Sequence, residues 1–217
     1  MKQVKKFWKW FQTNEEALKN ALLLGINTAE VFRKMERNYN SISTRIGYYI
    51  MVPNDGTEKS KIIFTAWGYG KLSAKIKALG DLAPELRYFS VQASITPTQQ
   101  RAAIKKRKDP PYNFDRYSIR ISQLYMSLLD YNIESKQLKV CVHFPNEDEM
   151  TQCEYLDANL TFVVMNVIGE TAFKKHIKYI EYIPLEGTQN GLVDLIDLPD
   201  YIDYLYHINS RRKTRAI

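Results

Sequence analysis

The stretch YSIRISQLYMSLLDYNIESKQLKVCVHF, residues 117–144, contains two runs of strand-like sequence joined by a short turn. The first run, Tyr117–Tyr131, is rich in aromatic and β-branched residues, which favour extended backbone. Apolar side chains then recur at every second position from Leu138 to Phe144, and the polar turn Glu134-Ser135-Lys136 stands between the runs. A slip of the alternation at Ser122-Gln123 predicts a β-bulge. The stretch therefore predicts two neighbouring antiparallel strands.

Further strand-like runs lie on both sides of this stretch. Arg45–Val52 and Lys61–Trp67 flank Pro53-Asn54-Asp55-Gly56, a dense turn signal that predicts a hairpin. Leu86–Ile95 alternates most regularly, and Lys178–Leu185 predicts a last strand. Adjacent strands joined by short turns favour α+β over a regular βαβ repeat. We therefore predict an α+β fold, with a mostly antiparallel five- or six-stranded sheet and helices packed on one face.

Helical spacing opens the chain, where Phe7, Trp10 and Phe11 share one face. Thr13-Asn14-Glu15-Glu16 has the form of a capping box, which predicts that a second helix begins there and ends at Gly25. Other helices are expected after Asn27 or Thr28, from Leu72 to Gly80, from Asn146 to Gly169, and from Pro199 onward.

Composition places the chain among ordinary soluble globular proteins. It has 217 residues, of which 45% are apolar and 25% are charged, and it carries a net charge of +7. Two cysteines, Cys141 and Cys153, are too few for a secreted disulfide scaffold. The chain begins without a secretory pattern and has no apolar run of the ~20 residues that a membrane span needs. We expect a cytoplasmic protein with a single domain over residues 1–210 and a basic C-terminal tail at 211–217.

Positive charge is concentrated in the first half of the chain. Residues 1–110 hold 20 basic and 9 acidic side chains, whereas residues 111–217 hold 11 and 15. One basic segment contains Arg101, Lys105, Lys106, Arg107 and Lys108, and the tail contains Arg211, Arg212, Lys213 and Arg215. These cations are candidate contacts for a nucleic acid or another polyanion. A solvated surface with a frayed tail explains them better, and we favour that interpretation.

The basic segment lies in a polar, proline-bearing stretch from Thr96 to Arg116. Stretches of this length without regular structure are uncommon in compact domains. Its like charges repel one another, and Ile104 is almost its only side chain to bury. We therefore predict a mobile surface excursion over residues 98–112, with a helical turn at Gln99–Lys106 and electrostatic contact with an acidic partner as its role.

Gly68-Tyr69-Gly70-Lys71 is the best local candidate for a ligand site. It lies between a predicted strand and a predicted helix, so its backbone N–H groups could bind an anion, with Gly68, Gly70 and Lys71 as the contacts. The spacing of a phosphate-binding loop is absent. A tight strand-to-helix connection explains the two glycines better.

No residue pattern supports a catalytic or metal centre, and we assign neither a catalytic residue nor a cofactor. The histidines at 143, 176 and 207 are widely separated, and Cys141 is expected to be a small buried side chain. Glu154, Asp157 and Glu170 flank an apolar helix, where burial would raise their pKa values for acid–base chemistry. Solvated positions on the outer helix face explain these carboxylates as well.

The chain is rich in aromatic residues, with 15 Tyr, 9 Phe and 3 Trp. Proteins that bind single-stranded nucleic acids stack bases on such rings. However, Tyr48, Tyr49 and most other tyrosines lie on predicted strands, where their β propensity already favours them. We therefore assign the aromatic residues to the core and the sheet.

Four short motifs occur in order along the chain: Phe7-Trp8-Lys9-Trp10-Phe11, Ile63-Phe64-Thr65-Ala66, Leu82-Ala83-Pro84 and Ile168-Gly169-Glu170. Their order and spacing resemble a family of bacterial proteins, a domain of unknown function with an N-terminal FWxWF motif. The resemblance covers about residues 7–206. It implies a bacterial, cytosolic setting and carries no catalytic residues.

Three functions remain open at this point. We favour a non-enzymatic binding or protein-interaction module, with a partner protein or self-association and without a membrane. A nucleic-acid or polyanion binder is the second, through segment 101–108 and tail 211–215. A hydrolase or transferase without recognisable motifs is the third, built on dispersed carboxylates or on Gly68–Lys71.

Overall fold

The computed structural model describes residues 1–53, 58–114, 116–187 and 189–214, with side chains as far as residue 208. The predicted turn at 53–56 therefore lies largely outside the described residues. The chain forms two compact units, Met1–Ile95 and Thr96–Ile217. That a single domain spans 1–210 stays a prediction. None of the helices in the described part is both long and apolar enough to cross a membrane.

The first unit combines three helices with a three-stranded sheet in the order β1-β2-β3. Strands β1 and β2 form the predicted antiparallel hairpin. Strand β3 pairs with β2 in parallel, because the helix between them in sequence carries the chain back to the end of the sheet at which β2 begins. Its elements are α1 (Lys2–Leu24), α2 (Thr28–Asn40), β1 (Gly47–Met51), β2 (Ser60–Thr65), a 3-10 turn (Gly70–Leu72), α3 (Ser73–Asp81) and β3 (Phe89–Ala93).

Helix α1 is continuous, so the predicted division at Thr13 is wrong. The Thr13 hydroxyl donates to the Lys9 carbonyl, one helical turn back, and caps no new helix. Glu15, within the same stretch, accepts the backbone N–H of Tyr88 through its carboxylate. The helix ends at Gly25 in a left-handed conformation, as predicted.

The core of the first unit is aromatic. Phe7, Trp8 and Phe11 of α1 are buried and meet the rings of Phe64 and Phe89 edge to face. The Trp8 indole N–H donates to the carbonyl of Leu79, 3.0 Å away. Trp10, which helical spacing places on the inner face, is only partly buried.

The second unit contains a two-stranded sheet and a four-stranded sheet in the order β8-β7-β6-β9. Pairs β6–β7 and β6–β9 are antiparallel, and β7–β8 is parallel. Its elements are α4 (Arg101–Lys105), β4 (Tyr112–Asn113), β5 (Ser118–Ile119), a 3-10 turn (Ile121–Gln123), β6 (Tyr125–Asn132), β7 (Gln137–Phe144), α5 (Asp148–Thr151), α6 (Leu156–Ile168), α7 (Glu170–His176), β8 (Ile177–Pro184), β9 (Val193–Asp194), a 3-10 turn (Leu195–Asp197) and α8 (Leu198–Thr214).

The α+β class is confirmed, but the single five- or six-stranded sheet is wrong. The described strands form sheets of three, two and four strands instead. The predicted long strand from Tyr117 is interrupted by the 3-10 turn Ile121–Gln123, which is what the slip at Ser122-Gln123 reflects. A register shift does occur in β6, between Leu128 and Asp130.

Helix α6 supplies much of the core of the second unit. Its residues Leu160, Val163 and Val164 are buried together with Val140 and Val142 of β7. The β-branched valines are compatible with the helix because tertiary burial outweighs a small propensity cost. After α6, Gly169 has a φ of +81°, and a Cβ there would lie 2.9 Å from Pro97 Cδ, so a glycine is required.

Candidate functional site

An open cavity of about 520 Å³ lies in the first unit, where the end of α2 faces the start of β1. Three aromatic side chains, one carboxylate and two further residues line it. The lining residues are Glu36, Tyr39, Asn40, Gly47, Tyr48 and Trp67. We call this cavity the aromatic pocket.

Two tyrosines form perpendicular walls of the aromatic pocket. Tyr39 occupies the last turn of α2 and is only 5% exposed, whereas Tyr48 lies on β1 and is partly buried. Their ring centroids are 5.5 Å apart and the ring planes meet at 85°. The helix and the hairpin strand, both held by the unit's core, therefore position the two rings as a corner.

Trp67 forms a third wall, immediately after β2. Its φ of +52° is left-handed, a conformation that costs a non-glycine residue about 1–2 kcal/mol. The Trp67 backbone N–H donates to the Thr65 hydroxyl at 2.9 Å, which holds this turn. The indole is 38% exposed, and its ring makes an edge contact with Tyr49 at 5.9 Å between centroids. Such strained residues cluster at binding sites.

Gly47 allows the indole to lie directly against the backbone of β1. A Cβ at position 47 would approach Trp67 Cζ2 to 2.5 Å, closer than van der Waals contact permits. The φ of Gly47 is not positive, so close approach rather than a turn requires the glycine. The position of the Trp67 indole in the aromatic pocket therefore depends on the absence of a side chain at Gly47.

The electrostatics of the aromatic pocket favour a positively charged occupant. Burial, together with the negative charge of Glu36, raises the pKa of Tyr39 and that of Tyr48 to about 12, so both phenols are neutral at physiological pH. The Glu36 side chain is exposed at the rim. Among the described residues that line the aromatic pocket, Glu36 is the one with a charge, and an exposed aromatic ring face attracts cations as well.

No family model, no curated protein and no solved structure matches this chain. The family suggested by the FWxWF motif therefore stays a prediction. In the structure, the residues of that motif belong to the core of the first unit rather than to a site, because Phe7, Trp8 and Phe11 are buried.

The proposed anion site at Gly68–Lys71 is a strand-to-helix connection in the structure. Gly68 has a φ of +70°, which explains this glycine as a turn residue. The N–H of Tyr69 donates to Ala66 and that of Leu72 donates to Tyr69, so two of the local donors are used in the turn. Gly70 has no positive φ, and a Cβ there would meet no atom within 4 Å, whereas Lys71 is exposed. Anion binding here stays a prediction.

The basic segment is packed rather than extended. Ile104 of α4 is 2% exposed within the core of the second unit, so the segment is anchored there, and α4 confirms the predicted helical turn within Gln99–Lys106. That residues 98–112 are mobile stays a prediction. Arg101 pairs with Asp197 at 2.9 Å and also with Asp200, and Lys105 pairs with Asp197 at 2.8 Å. These ion pairs hold two of the five cations against acidic residues of the same unit.

The remaining three cations of the segment are Lys106, Arg107 and Lys108. The Arg107 guanidinium donates to the Tyr125 hydroxyl at 2.8 Å, and Lys106 and Lys108 are exposed. The backbone of the basic tail is helical as far as Thr214, while side chains from residue 209 onward and residues 215–217 lie outside the described part. Contact of these cations with a polyanion stays a prediction.

The candidate carboxylates do not converge on one site. Glu154 and Asp157 are exposed near the start of α6, whereas Glu170 is buried beyond its other end, about 18 Å away along a 13-residue helix. His176 is buried at the end of α7, and its Nδ1 lies 3.2 Å from the Tyr206 hydroxyl. Among the described residues, no three His, Cys, Asp or Glu side chains are grouped to hold a metal ion.

Cys141 and His143 are two residues apart on β7 and therefore lie on the same face of this strand. The Nε2 of His143 lies 3.0 Å from the Ser127 hydroxyl across the strand pair. Burial raises the pKa of the Cys141 thiol, and the charge of Glu181 acts in the same direction, so the thiolate is disfavoured. Burial lowers the pKa of His143. His143 therefore contacts Ser127 across the strand pair, and the raised pKa of Cys141 does not favour a nucleophilic thiolate.

The aromatic pocket does not follow from the sequence patterns. Strand propensity assigns Tyr48 to the sheet, and the apolar run from Lys61 predicts Trp67 as the last residue of a strand. A signal is present in Trp67-Gly68, where a bulky residue and a glycine meet directly after an apolar strand. Nothing in the sequence indicates that Tyr39 and Glu36 of α2 lie beside that turn.

Proposed function

We propose that this chain is a non-enzymatic binding module whose aromatic pocket takes an alkylammonium group, presented by a methylated lysine side chain of a partner protein. The observation that carries the proposal is the juxtaposition of Tyr39, Tyr48 and Trp67 with the carboxylate of Glu36 around one open cavity. The two-cysteine composition and the family resemblance support a cytoplasmic, bacterial setting for the module.

Physical chemistry favours a methylated ammonium group over other occupants. Each methyl group spreads the positive charge and lowers the cost of leaving water, so that the cation can contact ring faces closely. A cation over an aromatic ring contributes about 0.5–2 kcal/mol, depending on how far the contact is desolvated. Trp67, which is 38% exposed, and the partly buried Tyr48 can offer such contacts, whereas Tyr39, which is 5% exposed, supports them from behind.

A titration with synthetic peptides tests the proposal. A short peptide with trimethyllysine is added to ¹⁵N-labelled protein, and the Trp67 indole signal is followed because Trp8 and Trp10 lie elsewhere in the unit. The expected result is a saturable shift of the Trp67 signal. A peptide with an uncharged isostere of trimethyllysine, in which carbon replaces nitrogen, should bind more weakly.

Variants assign the interaction to the pocket. Tyr48→Leu should weaken binding by roughly 2- to 30-fold, the range that one cation–π contact spans. Glu36→Gln should also weaken binding and should reduce its dependence on salt. Glu30→Gln is the matched control, because Glu30 lies on the same helix but pairs with Lys34 outside the pocket.

Two outcomes would contradict parts of the proposal. Equal affinity for the charged peptide and its uncharged isostere would exclude cation recognition. Binding of free choline or tetramethylammonium as tightly as the peptide would show that a small molecule, and not a partner's lysine, is the ligand.

A further inference from the structure

Asp109 lies shortly after α4, and its side chain is buried although it carries a carboxyl group. Only 4% of the residue is exposed. Its Oδ2 accepts the backbone N–H of Ser122 at 3.1 Å, whereas its Oδ1 has no hydrogen-bond partner among the described residues. Buried polar oxygens are nearly always hydrogen-bonded, because an unpaired one is unfavourable. The carboxyl group is thus held by one oxygen and free at the other.

The backbone carbonyl of the same residue is bound by a cation. The Nε of Arg120 donates to the Asp109 carbonyl oxygen at 3.0 Å. A charged donor at this position polarises the carbonyl group and stabilises the negative charge that its oxygen acquires when the carbonyl carbon is attacked. Arg120 directly precedes the 3-10 turn Ile121–Gln123, to which Ser122 belongs. One short segment therefore fixes both the side chain and the carbonyl of Asp109.

The peptide bond that follows the Asp109 carbonyl leads to Pro110. A proline nitrogen carries no hydrogen in a peptide bond. It therefore cannot attack the aspartate side chain to form a succinimide, which is the usual reaction of an aspartate with the residue after it. When this nitrogen leaves, it becomes a basic secondary amine that takes up a proton readily. Pro110 is exposed, so water has access to the bond.

We propose that the chain cleaves itself between Asp109 and Pro110, with the Asp109 carboxyl group as the nucleophile. Oδ1 forms a bond with the carbonyl carbon of Asp109 and closes a five-membered ring, while Arg120 stabilises the negative oxygen. The proton of the carboxyl group passes to the Pro110 nitrogen, and the carbon–nitrogen bond breaks. Water then opens the cyclic anhydride, which leaves two carboxyl groups on Asp109 and a free amine on Pro110.

Burial of Oδ1 is compatible with this role. The nucleophile and the carbonyl group belong to one residue, so the attack needs no solvent path between them. The cut falls within the second unit, where α4 belongs to residues 1–109 and the four-stranded sheet belongs to residues 110–217. Because Ile104 is buried in the core of this unit, we expect the two fragments to stay together after the cut.

Mass spectrometry of the full chain under denaturing conditions tests the proposal. The protein is kept at 37 °C and pH 6, and a parallel sample is unfolded in guanidinium chloride at the same temperature and pH. The expected products are residues 1–109 and 110–217, whose masses add up to that of the intact chain plus one water. The folded chain should be cleaved at least about tenfold faster, since only folding places Arg120 at the Asp109 carbonyl.

Variants separate the nucleophile from the donor. Asp109→Asn removes the attacking carboxyl group but keeps an oxygen for the N–H of Ser122, and it should abolish the cut. Arg120→Met removes the donor to the carbonyl and should slow the cut about tenfold or more. Lys108→Met is the matched control, because it removes an exposed cation next to Asp109, and it should be cleaved at the rate of the unaltered chain.

A chemical trap identifies the intermediate in the unaltered chain. Hydroxylamine reacts with an anhydride, so its addition should leave a hydroxamate on Asp109 at the end of fragment 1–109. This readout does not depend on whether a variant folds.

Four outcomes would overturn the proposal. They are a chain that stays intact for several days, equal rates for the folded and unfolded chains, an unchanged rate in Asp109→Asn or Arg120→Met, and cleavage without hydroxamate formation. The aromatic pocket belongs to the first unit and takes no part in this reaction. Loss of peptide binding there would leave the result unaffected, so the two proposals fail separately.

Discussion

At the scale of single residues, Gly47 and Trp67 depend on each other. Trp67 adopts a left-handed backbone after β2, and its indole lies where a side chain of residue 47 would be. The left-handed backbone of Trp67 and the absence of a side chain at Gly47 together allow the indole to form a wall of the aromatic pocket.

Gly47→Ala should therefore displace the Trp67 indole from the aromatic pocket. The added Cβ would lie 2.5 Å from Cζ2, so the ring must move. We expect loss of trimethyllysine peptide binding, a changed Trp67 indole signal, and a loss of stability of about 1–3 kcal/mol measured by urea unfolding.

Gly70→Ala is the matched control for this variant. Gly70 has no positive φ, and a Cβ there meets no atom within 4 Å. Its stability should change by no more than about 1 kcal/mol, and peptide binding should be retained. Retained binding in Gly47→Ala would mean that the Trp67 indole is not part of the binding site.

At the scale of elements, α4 shows how a basic segment becomes ordered. Five residues of helix would be unstable in isolation. Ile104 anchors α4 in the core, and Asp197 accepts charge-assisted hydrogen bonds from both Arg101 and Lys105. Burial acts to raise the pKa of Asp197, but the bonds from Lys105 and Arg101 outweigh it, so the pKa lies below its ordinary value.

Asp197→Asn should release this helix. Removal of the shared carboxylate leaves Arg101 with Asp200 alone and leaves Lys105 without its partner. We expect faster trypsin cleavage between Lys105 and Lys108 in the native protein, together with a stability loss of about 0.5–1.5 kcal/mol.

Asp130→Asn is the control, because it removes an exposed ion pair with Lys139 on β6 and β7. Its cleavage rate at Lys105–Lys108 should equal that of the unaltered chain. Rapid cleavage of the unaltered chain at these sites would contradict the docking of α4 and would support the mobile segment that the sequence predicts.

At the scale of the whole molecule, the histidines connect stability with pH. All three belong to the second unit, and two of them are partly or fully buried. Burial, with the nearby charge of Lys175, lowers the pKa of His176, and burial lowers that of His143. At pH values between these lowered pKa values and the ordinary histidine pKa near 6.5, the unfolded chain therefore binds more protons than the folded chain.

The free energy of unfolding should consequently be greatest above pH of about 6.5 and should fall as the pH is lowered through that value. Urea unfolding at pH 7.5 and at pH 5.5 measures the difference. His176→Gln should reduce the dependence on pH. An unchanged dependence in this variant would show that His176 is not responsible.

Several features could be predicted from the sequence because they depend on neighbours along the chain. The β6–β7 hairpin and the β1–β2 hairpin follow from alternation and turn residues. Gly25 ends α1 for a local reason as well, since it adopts a left-handed conformation.

Only the tertiary structure decided the rest, because it depends on residues far apart in sequence. The stretch from Thr13 to Glu16 has the form of a helix cap, yet in the structure the carboxylate of Glu15 accepts the N–H of Tyr88, 73 residues away. Strand β3 alternates as an antiparallel strand would, yet α3 returns it parallel to β2. The aromatic pocket likewise brings α2, β1 and Trp67 together. Local periodicity determines whether a segment is a helix or a strand, whereas sheet order and binding sites depend on long-range packing, which propensity and spacing do not contain.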